Sequence, residues 1–226
     1  MLRTTIDAVC VGTVDAFGPN GEPSAIRKKR MTGPFRVGAE GPAGDAHGDT
    51  VHHGGSEKAV HHYPFEHYHL WQTELPTAAS HFEQPPFFGE NISTSGLTET
   101  SVCVGDIFRA GTVLLQVSEV RQPCWKLAHR SGVPDLARRV QETGRTGWFY
   151  RVIETGTIEV GVTMELEGKI RSIRKPSVRH RLKKLTFPVS QCWFDFNRRY
   201  FHIVSSPQRS GFPHAPPALR VETSLA

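Results

Sequence analysis

The chain has 226 residues, 38% of them apolar and 22% charged, a balance that suits a globular domain with its own core rather than a disordered chain. The formal charge of +5 comes from one end. Residues 169–226 hold 12 Lys/Arg against 2 Asp/Glu, whereas residues 1–168 hold 15 against 20, so the basicity marks an appendage on an acidic main domain. No run approaches the ~18 apolar residues of a membrane helix, the N-terminal stretch carries Asp7 and Asp15 and has no signal-peptide core, and the widely spaced Cys10, Cys103, Cys124 and Cys192 form no CxxC pair; a cytoplasmic, reducing location is expected.

In chain order, the alternating β-branched run Val9 to Phe17 predicts a strand, and Gly18-Pro19-Asn20-Gly21 a turn. Ala25 to Phe35 predicts a second strand. Gly38 to Gly55, rich in Gly, Asp and His, predicts a long ordered loop, and Lys58 to Tyr63 a short strand. Phe65, Tyr68, Leu70, Trp71 and Leu75 share a helical spacing that Pro76 ends. Phe87 to Ser95 is expected to be extended. Val102 to Phe108 and Val113 to Val120 predict two strands joined at Ala110-Gly111, and Pro134 to Glu142 a short helix capped by Gly144. Trp148 to Ile153 and Ile158 to Leu166 predict a closing strand pair that turns at Glu154-Thr155-Gly156. Many short strands with few short helices predict a mainly β, barrel-like domain over residues 1–168. There is no internal repeat, GxGxxG or P-loop, which argues against a nucleotide fold. The segment 169–226 has scattered prolines and aromatics without a period; its fold is unassigned, and it is expected to be poorly ordered.

Three constellations bear chemistry. In Ser118-Glu119-Val120-Arg121-Gln122-Pro123-Cys124-Trp125-Lys126, a strand stops at a proline and presents a cysteine at the start of a helix-like stretch. A helix N-terminus with Arg121 and Lys126 nearby favours a thiolate, the form that attacks electrophiles and binds soft metals; the plainer alternative is a small buried Cys. Seven histidines (His47, His52, His53, His61, His62, His67, His69) lie within residues 47–69. Imidazoles suggest zinc, but the spacing is not HExxH and no cysteine is near. His53-Gly54-Gly55 reads better as a loop bringing backbone to a ligand, and His67 and His69 as partly exposed helix residues. Phe88-Gly89-Glu90-Asn91-Ile92 offers a close-approaching backbone, a carboxylate and an amide, or simply an asparagine in a turn.

Taken in order, Pro-Ser-Ala-Ile at 23–26, Gly-Asp at 44–45, His-Gly-Gly at 53–55, Ala-Val-His-His-Tyr-Pro from 59, Glu-His-Tyr-x-x-Trp ending at 71, Phe-Gly-Glu-Asn at 88–91, Gly-Leu-Thr-Glu from 96, Gly-Asp-Ile-Phe-Arg from 105, Gln-Val-Ser at 116–118, Arg-x-Pro-Cys at 121–124 and Thr-Gly-x-x-Gly-Trp ending at 148 resemble the MOSC domain, in its YiiM-like branch. The match covers about residues 9–167, and the combined order is far more specific than any single piece. The resemblance implies a β-barrel fold and a molybdenum cofactor whose metal is bound by Cys124. It also implies a detoxifying reduction of N-hydroxylated compounds, such as hydroxylaminopurine-type base analogues, to amines. Ser24, Lys28, Asn91, Ser118, Arg121 and Gln122 are the expected cofactor-binding residues, with Arg121 or Lys28 on the pterin phosphate, and His53 or Asp45 the expected proton relay. Pyridoxal phosphate is a further association the family carries. The expected partners are a small N-hydroxylated substrate and a separate electron-donating reductase; nucleic acid would be met only by the tail, no membrane is expected, and homodimerisation is left open. The alternative is a non-redox carrier of the cofactor, or of sulfur as a persulfide on Cys124. YiiM-like proteins usually continue into a small three-helix domain, which residues 169–226 do not resemble; a divergent appendage and a shifted reading frame both account for that.

Overall fold

Residues 2–49 and 54–169 are described by a computed structural model. The strands are β1 Arg3–Val11, β2 Asp15–Phe17, β3 Glu22–Ser24, β4 Lys29–Arg30, β5 Phe35–Gly38, β6 Gly41–Pro42, β7 Val60–Pro64, β8 Ile92–Thr94, β9 Asp106–Ala110, β10 Val113–Val120, β11 Trp148–Glu154, β12 Gly156–Ile158 and β13 Thr163–Lys169. The helices are α1 Glu66–Glu74, α2 Trp125–Ser131 and α3 Leu136–Thr143, with 3₁₀ turns at Ser56–Lys58 and Pro76–Phe82.

Seven strands close on themselves in the order β13-β9-β10-β11-β7-β8-β1, and β1 returns to β13 through Arg3↔Glu165 and Thr5↔Thr163. Closure leaves these strands no open edge. Neighbours are antiparallel except β7 and β8, which run parallel through His62↔Ile92. Alternation along each strand fills the interior: Val113, Leu115 and Val117 from β10 meet Phe108, Ala110, Trp148, Tyr150, Ile6, Ile92 and Met164. A second core lies where the helices cover the barrel, with Tyr68, Trp71, Leu127, Leu136 and Val140 packed around Tyr63, Phe82, Phe87 and Phe88. Tyr63 and Phe88 stack at 3.9 Å between centroids. The barrel-like, mainly β class read from the sequence is the class found.

The elements expected at Val113–Val120, around Pro134 and over Phe65–Leu75 are present, and α3 ends at Gly144 in the left-handed conformation. Other expectations need correction. Val9 to Phe17 is two strands, because the backbone of Gly12 leaves the ladder: its N–H donates to the Asp45 carboxylate and its carbonyl accepts from Ala46 N. Ala25 to Phe35 is largely irregular, with only the two-residue β4 inside it. Trp148 to Ile153 and Ile158 to Leu166 do not pair with each other. β11 lies between β10 and β7, β12 crosses to β5, and β13 closes the barrel between β9 and β1. The expected loop from Gly38 is broken by β6 and then turns back over Gly12; residues 50–53 fall outside the described residues, as does the tail beyond 169. No helix among the described residues is long and apolar enough to cross a membrane.

Candidate active site

At the end of β10 the chain is pinned by Arg121 N donating to Gly147 O at 3.2 Å. Pro123 then forces an extended entry, and Cys124 takes the N-cap position of α2 with φ −131° and ψ 170°. Its side chain makes no capping bond, and the thiol is half-buried. Cys124 lines a narrow cleft with Ser24, Lys28, His47, Lys58, His61, Gly89, Asn91, Arg121 and Lys126. It also borders a larger outer hollow, walled by Gln122, Trp125, Lys126 and Phe149. The cysteine therefore stands where the inner cleft meets the outer hollow.

The floor of the cleft is a polar knot. The Lys28 ammonium donates to both carboxylate oxygens of Asp45, and the two side chains are 6% and 2% exposed. Burial lowers the Lys28 pKa, with Asp45 opposing the shift. Asp45 also accepts from Gly12 N and from Asn91 Nδ2, each at 2.8 Å. Asn91 Oδ1 accepts from His61 N at 3.0 Å, and its amide also donates to Cys10 O at 3.1 Å. Asn91 is thus a clamp joining β1, β7 and the Asp45 loop, and every strong bonding group it has is engaged. Asp45, placed in the sequence as a proton relay, is found as the anchor of a buried ion pair.

Strand alternation separates His61 from His62. His62 points into the barrel, where its ring nitrogens meet Tyr150 Oη at 3.1 Å and Thr94 Oγ1 at 3.0 Å; burial pulls its pKa down to about 3. His61 points to the cleft, with its ring against Phe149 at 5.1 Å. Its Nε2 is buried with no partner among the described residues. Burial, aided by the Arg121 charge, holds His61 well below its ordinary pKa. At neutral pH the ring is uncharged. Arg121 is buried and donates to Phe88 O at 3.3 Å; Lys126 Nζ donates to Pro23 O at 3.3 Å; Lys58 sits 3.6 Å from Glu119. Arg121 and Lys126 thus bring cationic charge to the cleft while donating to carbonyls rather than to carboxylates.

The other expected site residues separate. Ser24 lines the cleft and its Oγ accepts from Ile26 N. Gln122 is exposed and lies only on the outer hollow. Ser118 donates to Glu57 O, away from the cleft. His53 lies outside the described residues. His67, expected to be partly exposed, is buried and bonded to Glu99 at 2.7 Å, a tertiary contact that helix periodicity does not reveal. The histidine run therefore spreads over several environments, and no cluster of three metal-binding side chains occurs among the described residues. His61 was visible in the sequence only as one of seven histidines; the period of two in Val60–Pro64 was the signal that sets it apart from His62.

The MOSC domain profile matches residues 49–165. The chain belongs to the MOSC family. Within it, the chain is 41% identical over 172 residues to Protein YiiM of Escherichia coli, covering 76% of this chain and 75% of that protein. It is 42% identical over 144 residues to a protein of Gibberella moniliformis named Reductase, covering 63% of this chain but only 25% of that one. Among solved structures, YiiM from E. coli superposes with a TM-score of 0.64 at 29% identity, covering 93% of this chain and 98% of that chain, and YiiM from Geobacillus stearothermophilus with 0.63 at 30%, covering 90% and 92%. This is a YiiM-like MOSC protein, and the cysteine that the motif order singled out is the one bordering its cleft.

Proposed function

We propose that this MOSC protein is a molybdenum-cofactor-dependent oxidoreductase that reduces N-hydroxylated compounds to amines. One observation carries the reading: a half-buried thiol shares a cleft with buried Arg121, with Lys126 and with His61, whose buried Nε2 has no partner among the described residues. An orphaned buried polar atom costs about 1–3 kcal/mol, and a partner on a bound group would remove that cost. The residues fit the cofactor. Cys124 supplies a soft ligand, Arg121 and Lys126 suit the pterin phosphate, and His61 Nε2 suits a polar atom of the pterin. Gly89, at φ 79° beside Ile26, keeps the cleft wall free of a side chain.

The cofactor, when bound, supplies the two-electron redox chemistry that side chains lack. Cleavage of N–OH consumes two electrons and two protons and yields the amine and water, so an electron-donating reductase is a required partner. Cys124, where the inner cleft meets the outer hollow, would hold the metal. His61 offers a hydrogen-bonding partner at Nε2 and holds the cofactor's orientation. The Lys28–Asp45 pair and Asn91 hold the loop and strand that form the floor, so Asp45 acts through position. Lys28, being engaged by Asp45, leaves the phosphate to Arg121 and Lys126. Pyridoxal phosphate does not fit: the most buried cleft lysine, the natural Schiff-base candidate, is that same engaged Lys28.

The test is metal analysis of the native chain and Cys124→Ala, both made in a cofactor-competent host. Stoichiometric molybdenum with N-hydroxy reduction is expected for the native chain, and loss of both for the variant. Metal-free protein carrying labile sulfur on Cys124 would replace this reading with the sulfur-carrier alternative.

A further inference from the structure

Trp71 and Trp148 are fully buried, yet Trp125, next in the chain to Cys124, is 45% exposed. Leaving so large an apolar surface in water is unfavourable, and the side chain is not loose. Its ring edge lies on Gly18 so closely that a Cβ there would come within 2.5 Å of Cη2 and 3.0 Å of Cζ3. Phe17 packs against it at 5.9 Å and His129 at 6.0 Å between centroids. The indole is thus held in place while part of it stays open. It walls the outer hollow that Cys124 borders, where Phe149 is a second aromatic wall, and Phe149 is itself backed by His61. On its other side it borders a separate hollow with Pro19, Glu22, His129 and Pro134.

We propose that Trp125 is a specificity-determining residue: its fixed indole stacks the planar ring of an aryl or heteroaryl substrate whose reacting group reaches the Cys124 side of the cleft. The inference rests on the reading of the cleft as an N-hydroxy reductase. It adds that the outer hollow selects flat ring systems over aliphatic ones, because an immobilised indole gives up little conformational freedom on stacking and every heteroaromatic ring offers it a π-face. Gln122, on the same hollow, gives the ring's polar edge a partner.

The test has a binding arm and a kinetic arm, both on the full chain. In the binding arm, adenine and cyclohexylamine are titrated into metal-free protein by calorimetry and tryptophan fluorescence. Native protein should bind adenine with quenching and leave cyclohexylamine unbound; Trp125→Leu should weaken adenine about tenfold or more, and Trp125→Phe should keep most of the affinity. Gly18→Ala, which drives a methyl into the ring edge, should weaken adenine in the same direction, with thermal melts reporting that each variant is folded. In the kinetic arm on loaded protein, Trp125→Leu should raise KM for benzamidoxime about tenfold with kcat little changed, and leave KM for acetamidoxime unmoved. If adenine binding depends on Trp125 but no N-hydroxy compound is reduced, the ring platform stands and the reductase reading falls. Unchanged adenine affinity in Trp125→Leu, equal KM changes for both amidoximes, or a change confined to the KM for the electron-donating protein would each overturn the inference, the last in favour of a protein-docking role.

Discussion

The residues that matter most here are polar groups placed where water is scarce. Lys28 and Asp45 are a buried pair, and such a pair is tolerated because each charge satisfies the other. Asp45→Asn leaves the Lys28 ammonium facing a neutral amide, and the expected loss is about 3–5 kcal/mol of unfolding free energy, read from urea midpoints. The double variant Lys28→Met with Asp45→Leu should lose less than the sum of the single changes, because no charge is left alone in it. His61 makes a different point. His61→Phe preserves packing on Phe149 but removes Nε2, and molybdenum retention should fall about 10–100-fold while the melt shifts only slightly. Cys124 was singled out in the sequence by the order of the MOSC motifs, since the local proline-cysteine pattern alone left a small buried cysteine open. The division of labour between His61 and His62 was not legible, because it depends on which face of β7 meets the barrel interior.

At the level of elements, the junction of β7 and β11 is the tightest constraint on the cleft. Trp148 pairs with His62, and Gly147 just before it has φ 68°. A Cβ on Gly147 would collide with the His62 carbonyl oxygen and crowd His61 Nε2 and Tyr63. Gly147→Ala is therefore strained in its backbone and obstructed in space. A loss of more than about 2 kcal/mol is expected, with reduced cofactor retention, because the displaced strand is the one that carries His61; urea unfolding and metal content measure the two effects. The hairpin of β9 and β10 was readable because apolar residues recur on both sides of a glycine turn, but its first strand is Asp106–Ala110 rather than Val102 to Phe108, since Val104 and Gly105 turn before the ladder begins. The stretch from Ala25 to Phe35 was misread because its apolar residues serve a cleft wall rather than a ladder: Ala25 and Ile26 line the cleft, and Arg130 bonds Ile26 O at 2.7 Å from outside the sheet.

For the whole molecule, barrel closure forces titratable groups into the interior, and this sets a pH dependence. His62 is held near pKa 3 against an ordinary 6.5, and His61 is lowered as well. The unfolded chain binds these protons first as pH falls, so stability declines from about pH 6.5 toward the folded-state values, by up to about 1.4 kcal/mol per pH unit for each histidine. Glu90 runs the other way. Burial raises its pKa, so its stabilising contribution is present at low pH and is lost as pH rises through the folded-state value. His62→Asn isolates one histidine: the slope of unfolding free energy between pH 6.5 and 3 should drop by up to one proton relative to the native chain, in urea titrations over a pH series.

The class of the protein was legible in its residue order. Alternating apolar strands can bury their inner faces only by rolling the sheet, and the ordered set of short motifs carried the MOSC resemblance and pointed to Cys124. The tertiary structure alone decided which strands meet, that Asn91 and Asp45 are clamps rather than free ligands, and that His61 faces the cleft while His62 faces the core. The reason is physical. Periodicity records how a segment divides its faces between apolar and polar surroundings, whereas pairing partners, ion pairs and orphaned nitrogens depend on groups that lie far apart in the chain and are brought together only when the barrel closes.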